Sequence, residues 1–578
     1  MLHYQIKPKN LGAHLIHVII TVPAGEQRIT AKLPKWIPGS YKIRDYSRHL
    51  QAFSATADGQ AVPWQKTDSD TWIIEADGHA VSIAYDVYAY DLSVRGAYLD
   101  DSRFFFNHCC VCLDIIHLSA QRRLIDIDSV GDWRIFTALD KEGRHYLADS
   151  YAEQIDCPME SAKNYLHSEF TAGGVRHEVI FTGALSDDYD MVAMTKHLKH
   201  ICQAEIQLFG GSPLDKYLFM TYLEPNQYGG LEHKNSVAQM SAPKMMMRKD
   251  RPVSDNMIDF MGLCSHEYFH LWNVKRLQPK DFQPYDLYRE QHTEMLWMFE
   301  GFTSYYDELF LLRAGVVDAP TFLKRQAQNL TRVLNVPGRK LQPLAASSFD
   351  AWTKLYQADA NSPNHMVSYY SKGAVFALYL DLFIRLHSDG HSLDDVMRYL
   401  WRHYGEKGIG IDENDVFAAC GRLLPNDKHE RLAQVFVEGL HGTADMPFTE
   451  MLVHFGVSVR AKVKHSNKQP HTSDSGLRLS IRGDKAKITF LDADSHAAAV
   501  GVSVDDEVLA IDRQNAASVD FNHCLNRGQA GQQRCLTLSR RGRVFEKKIQ
   551  LAPATNSETD FTLSAATALG QDWLAVWL

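Results

Sequence analysis

The segment Ser265-His-Glu-Tyr-Phe-His-Leu-Trp-Asn-Val-Lys-Arg276 decides how the rest of the chain is read. Its apolar residues recur with helical period, which predicts a helix from about Ser254 to Arg276. Residues four apart on a helix project from one face, so His266 and His270 can both bring an imidazole to one ion at roughly 2.0–2.1 Å. Glu267 stands next to the first histidine, where its carboxylate can take a proton from an activated water as that water attacks a carbonyl carbon. A catalytic zinc takes three protein ligands and keeps one position open, so another ligand is required downstream. Glu300 is the candidate. In Leu296-Trp-Met-Phe-Glu-Gly-Phe-Thr-Ser-Tyr-Tyr306 it is surrounded by aromatic residues that would bury its carboxylate, and burial is tolerated only when the group is paired or ligating. Glu290 and Glu294 lack such a setting.

Composition sets the frame for this motif. A chain of 578 residues exceeds what one hydrophobic core supports, so three or four domains are expected. With 45% hydrophobic and 23% charged residues it is an ordinary globular sequence, and its formal net charge of −9 gives no reason to bind nucleic acid. The N-terminus lacks a basic segment followed by an apolar run, and no stretch of about eighteen apolar residues occurs, so neither export nor a membrane span is expected. The nine cysteines are an odd set, read as reduced thiols, and a cytoplasmic address follows.

Up to about residue 165 apolar and polar positions alternate, as in Val81, Ile83, Tyr85, Val87 and Ala89, with Asp77-Gly78 as a turn just before, so this region reads as β. From about residue 186 the pattern becomes helical and continues to Gly456, with helix stops expected at Gly315, Gly390, Gly405 and Gly456. The polar stretch His465 to Ser475 then leads into short strand-like pieces reaching roughly residue 550. The tail from Asn556 gives no clear signal beyond Trp573 and Trp577. His108-Cys-Cys-Val-Cys112 is read as core, since neighbouring side chains on a strand point to opposite faces and no second cysteine pair completes a metal set. Met245-Met-Met-Arg-Lys249 is read as packing.

Three segments together carry a family resemblance: His266 to Arg276, Trp297 to Tyr306, and Tyr228-Gly-Gly-Leu-Glu-His-Lys-Asn-Ser236. With Trp36-Ile-Pro-Gly-Ser-Tyr41 and Val94-Arg-Gly-Ala-Tyr-Leu-Asp-Asp101 they resemble the glycyl aminopeptidase family of zinc peptidases, of the same clan as aminopeptidase N. The 29 residues between His270 and Glu300 match that family, whereas aminopeptidase N has a shorter spacer. The resemblance implies a multidomain α+β chain: an N-terminal β-sheet domain (1–168), a thermolysin-like catalytic domain (169–335), a helical domain completing the active site (336–460), a PDZ-like β domain (466–555) and a tail (556–578). It implies one Zn²⁺ per chain held by His266, His270 and Glu300, with Glu267 as base.

Gly229-Gly-Leu-Glu232 is similar to the motif that binds the substrate's free α-amino group, so Glu232 would hold the terminal ammonium. Gly229 and Gly230 would line the substrate edge, since glycine permits close approach. Tyr370 matches a tyrosine that donates to the tetrahedral oxyanion, a contribution of about 3 kcal/mol, and its neighbour Tyr369 is the alternative. The implied activity is removal of an N-terminal residue, glycine or alanine preferred, from peptides with a free N-terminus. The alternatives are a zinc endopeptidase and a peptide-binding adaptor working through the C-terminal module on an inactive scaffold. The stretch Ser495 to Asp512 resembles a PDZ domain, with Gly476 the one glycine where a carboxylate-binding loop belongs. A homo-oligomer is left open.

Overall fold

Leu2, Tyr4 and Ile6 alternate with His3 and Gln5, and the strand Leu2–Asn10 accordingly buries one face. The computed structural model that contains it describes residues 1–463, 465–466, 469–470, 473–482, 485–516, 521–554 and 557–563. Contacts divide the chain into two units: Met1–Gln291 with Tyr306–Val317 and Met397–Asp412, and His292–Tyr305 with Asp318–Val396 and Glu413–Leu578.

In the first unit, Leu2–Asn10 is flanked by Arg123–Ile127, parallel, and Leu15–Val22, antiparallel, within an eight-stranded sheet. Val81–Tyr88 belongs to the same sheet and buries Val81, Ile83, Tyr85 and Val87. Asp77 and Gly78 turn just before it at φ 47° and 82°. Two four-stranded sheets share the core, so the β reading of this region holds. His108–Val111 departs from its expected geometry. It is a helical turn rather than a strand, closed by the Cys112 N–H donating to the His108 carbonyl at 2.7 Å, although every side chain in it is buried as core.

A mixed five-stranded sheet follows: β1 (Leu166–Ala172), β2 (Val175–Gly183), β3 (Lys216–Leu223), β4 (Tyr228–Glu232) and β5 (Ser236–Ser241), in the order β1-β2-β3-β5-β4. The helical expectation from residue 186 is therefore wrong for residues 216–241. Central strands are buried on both faces and read as unbroken apolar runs without alternation, and in β3 every residue after Lys216 is buried. Helix α1 (Met191–Phe209) starts where Asp190 accepts from the Ala193 N–H at 2.9 Å and ends at Gly210, φ 78°. Helix α2 (Asp255–Phe269) carries the motif, and α3 (Gly301–Arg313) contributes its residues from Tyr306 on to this unit. The expected stops at Gly315, Gly390 and Gly456 are left-handed, at φ 68°, 76° and 73°. Gly405 is not; Gly408 takes that role at φ 64°, while a Cβ at Gly405 would meet the Trp401 ring at 2.5 Å.

The second unit contains α4 (Ala319–Leu334), capped by Asp318, and α5 (Tyr369–His387), which is buried along most of its length. Its C-terminal part is a sheet ordered Leu477–Arg482, Lys485–Leu491, Glu507–Ile511, Gln533–Arg540, Arg543–Gln550, around a core that includes Ile488, Val508 and Leu536. Within it the buried Asp506 receives two hydrogen bonds from Arg540, at 2.6 and 2.8 Å. In the tail, where the sequence carries no clear signal, Ser557–Leu563 is a strand paired antiparallel with Val457–Val463. Residues 464, 467–468 and 471–472 in and beside the polar stretch, and Trp573 and Trp577 in the tail, lie outside the described residues.

Candidate active site

Ser254 begins α2 by accepting a hydrogen bond from the Met257 N–H at 3.3 Å, and the helix then buries Phe260, Met261, Leu263, Tyr268 and Phe269. This packing fixes the azimuth of the motif. The imidazoles of His266 and His270 lie with centroids 4.6 Å apart and planes at 89°. His266 Nδ1 donates to Asp307 Oδ2 on α3 at 3.0 Å, and His270 Nδ1 donates to the Asn273 carbonyl at 2.8 Å. With Nδ1 engaged, Nε2 is the atom each ring can present to a metal, and an oxygen acceptor on the far nitrogen raises the ligand's basicity. The donor chemistry therefore suits zinc.

The helix does not continue to Arg276 as its periodicity suggested; it stops at Phe269, with His270 as cap. The Lys275 N–H returns to the His270 carbonyl at 3.0 Å, and Val274 at φ 136° takes the chain out of helical space. This turn aims the Asn273 carbonyl back at His270. It also buries Lys275, whose Nζ lies 2.7 Å from Asp156, with His233 Nδ1 3.3 Å from the same carboxylate. Burial opposes the charge on Asp156, yet Lys275 and His233 hold its carboxyl well below the usual range.

Glu267, Glu232 and His270 are all buried, and one donor atom from each lies within 4.8 Å of the others. Glu232 ends β4, the edge strand of its sheet, and its Oε1 is buried with no hydrogen-bond partner among the described residues. Two glycines make this closeness possible. A Cβ at Gly230 would sit 2.0 Å from Glu267 Oε1, and one at Gly39 would sit 2.4 Å from Glu232 Oε1. Gly229, at φ 143°, meets nothing within 4 Å. From the Val94–Asp101 segment, Arg95 Nη2 donates to the Gly230 carbonyl at 3.1 Å. The two N-terminal segments singled out in the sequence thus supply the surroundings of the glycine-glutamate strand.

In the second unit Glu300 is buried, and its carbonyl accepts the Ser304 N–H at 2.8 Å as the first turn of α3. Glu290 and Glu294, the rivals, are exposed. The Cα atoms of Gly301 and Gly373 meet so closely that a Cβ on Gly301 would lie 2.5 Å from Gly373 Cα, which brings the start of α5 beside Glu300. Tyr370 is pushed well above the ordinary phenol range by burial and then by the Glu300 charge, and its hydroxyl lies 3.4 Å from that of Tyr356. Tyr369 is fully buried and shifted in the same direction by burial first.

Sequence reading missed Asp307, Asn273, Asp156 and Glu205. Glu205 is a buried carboxyl on α1 that accepts from Ser265 Oγ at 2.8 Å, and burial pushes its pKa well above the usual carboxyl range. None stands at a motif spacing, and only the aromatic run before Asp307 signalled that a polar residue there would need a partner.

Comparison with known proteins decides the family. The Peptidase M61 N-terminal domain matches residues 3–163, and the M61 glycyl aminopeptidase domain matches residues 259–376. An aminopeptidase N family protein from Idiomarina loihiensis has 32% sequence identity, a TM-score of 0.94, and coverage of 99% of this chain and 100% of its own. The chain belongs to the M61 glycyl aminopeptidase family. The expected resemblance is borne out, and with it a multidomain α+β peptidase fold with an N-terminal β domain. An M1 zinc metallopeptidase from Deinococcus radiodurans is a more distant likeness, at 12% identity and TM-score 0.49 over 77% of this chain and 94% of its own. Yeast LTA4 hydrolase in complex with bestatin stands at 12% identity and TM-score 0.48, over 77% of this chain and 68% of its own. No curated protein matches significantly.

Proposed function

We propose that this family member is a zinc-dependent aminopeptidase that removes glycine or alanine from peptides with a free N-terminus. The observation that carries the reading is the buried set of Glu232, Glu267 and His270 with donor atoms within 4.8 Å, beside a second imidazole already oriented by Asp307. His266, His270 and Glu300 are the proposed ligand group for one zinc ion per chain, supported by the motif and the family match. Glu300 immediately precedes α3 in the chain, seven residues before Asp307, the residue that orients His266. When bound, zinc polarises the scissile carbonyl and makes water acidic enough to be deprotonated near neutral pH.

The chain's own groups supply the rest. Glu232 takes the substrate ammonium on the oxygen that has no other partner, which sets the first peptide bond at the reacting position. Glu267 accepts the proton of the attacking water and returns it to the departing amine as the C–N bond breaks. Tyr370 donates to the developing oxyanion, and Gly229 and Gly230 let the substrate backbone approach the edge strand. A carboxylate dedicated to the ammonium favours exopeptidase over endopeptidase action. The C-terminal sheet is proposed to be PDZ-like, with no ligand assigned; Gly476 stands at φ 73° with its N–H already given to Asp474 at 2.8 Å. A cytoplasmic address is supported by nine free cysteines, and among the described residues no helix is long and apolar enough to cross a membrane.

Metal analysis combined with an aminoacyl-anilide assay tests the proposal. It requires about one zinc per chain and hydrolysis of alanyl or glycyl anilides but not of N-terminally blocked peptides. A metal-free, inactive chain would leave only the adaptor, and cleavage of blocked peptides would make it an endopeptidase.

A further inference from the structure

The first unit also holds a cavity of about 210 Å³ with a basic wall. Lys42, Arg44, Arg48 and His49 line it, together with Asp45 and Asp91, so three formal positive charges face two negative ones. Neither carboxylate makes an ion pair with these cations among the described residues, and the buried Nε of Arg44 has no hydrogen-bond partner. Arg48 Nε donates to His49 Nε2 at 2.9 Å, which leaves that imidazole as an acceptor, and burial followed by the Arg48 charge lowers its pKa. Cationic side chains that line one cavity without ion-paired carboxylates suit an oxyanion, whose geometry matches a guanidinium's planar fork. The volume falls below the roughly 300–1,000 Å³ of sites for drug-sized molecules, which points to a small ion.

Two paths, one of a hydrogen bond and close packing and one of hydrogen bonds, lead from this wall to the strand that carries Gly230 and Glu232. Arg44 Nη2 donates to Ser40 Oγ at 2.7 Å, and Ser40 follows Gly39, whose backbone is packed against the Glu232 carboxylate. Tyr46 Oη donates to the Arg95 carbonyl at 2.8 Å, and Arg95 Nη2 donates to the Gly230 carbonyl at 3.1 Å, next to Glu267. We propose that the cavity binds a small oxyanion of the phosphate class, and that occupancy tightens peptide binding by fixing Arg44 and, through Ser40 and Gly39, Glu232. The binding stands on the cavity alone; the effect on peptides rests on Glu232 as the ammonium-binding residue.

Calorimetric titration of the full-length, zinc-loaded protein with inorganic phosphate tests the site. One phosphate should bind per chain, with affinity at least about ten-fold weaker in Arg48→Ala or Lys42→Ala and about ten-fold weaker for acetate, a planar monoanion. No binding, equal binding in wild type and both variants, or acetate as tight as phosphate would overturn it. Saturating phosphate should lower KM for an alanyl anilide about five-fold, with kcat moved less than two-fold, and Arg48→Ala should abolish the response. An unchanged KM with phosphate bound refutes the coupling. A raised KM that persists in Arg48→Ala means that phosphate acts at the metal and also refutes it. If no peptidase activity is found at all, the aminopeptidase reading fails while the calorimetry still decides the site.

Discussion

Two helical turns in the first unit place metal-capable side chains four residues apart, and they have opposite surroundings. At His266 and His270, acceptor oxygens from Asp307 and Asn273 fix both rings, and Glu232 and Glu267 stand within reach of His270. At His108 and Cys112, Nδ1 and Sγ lie 3.6 Å apart with Gln154 and the Phe106 ring around them. There burial alone drives His108 down to about 3 and is the largest cause raising Cys112, so both are neutral near pH 7. Spacing makes a pair of ligands possible, and the carboxylates around it decide whether a cation is welcome.

The contrast can be broken at several points. His270→Ala should reduce bound zinc to background and abolish anilide hydrolysis; full metal content in that variant would put the ion elsewhere. Glu267→Gln should keep the metal while kcat falls by about 10²–10⁴-fold, and near-normal turnover would remove the base. Asp307→Asn, which keeps size but not charge, should weaken zinc about 10–100-fold in a chelator competition. Cys112→Ala should change neither zinc content nor KM and should cost about 1 kcal/mol in denaturant unfolding. A loss of zinc there would erase the distinction between the two turns.

Acid unfolding sharpens the same contrast. The folded His108 stays neutral down to about pH 3, whereas the unfolded chain takes that proton near 6.5. Between these values the unfolded state binds more protons, so the stability present above pH 6.5 is lost as pH falls. His177, lowered to about 4 chiefly by burial, acts in the same direction. One proton gives a slope of at most about 1.4 kcal/mol per pH unit, and His108→Gln should remove that share from a pH series of unfolding midpoints.

Much of the candidate site was legible because helical spacing is local. His266, Glu267 and His270 announce themselves in five letters, and the aromatic run around Glu300 announces a buried carboxylate. The start of α2 was legible too, since Ser254 is an N-cap by type. Its end was not, because the turn at His270 depends on a side-chain bond to Asn273 and on the backbone of Val274, neither of which has a periodic signature. β3 was read as helix because a strand buried on both faces loses its alternation. Asp307, Asp156 and Arg95 were invisible because their partners lie 41, 77 and 135 residues away in sequence.

Gly39, Arg95 and Asp156 all come from the stretch matched as the N-terminal domain, residues 3–163. They cover one glutamate, tether the carbonyl of Gly230, and neutralise a buried lysine beyond residue 230. The front of the chain is therefore not a detachable appendage. A gene trimmed to begin after residue 163 would leave Lys275 without its counter-ion and the strand that carries Gly230 and Glu232 without a wall, so the smallest intact form of this peptidase must retain sequence that a domain map would discard.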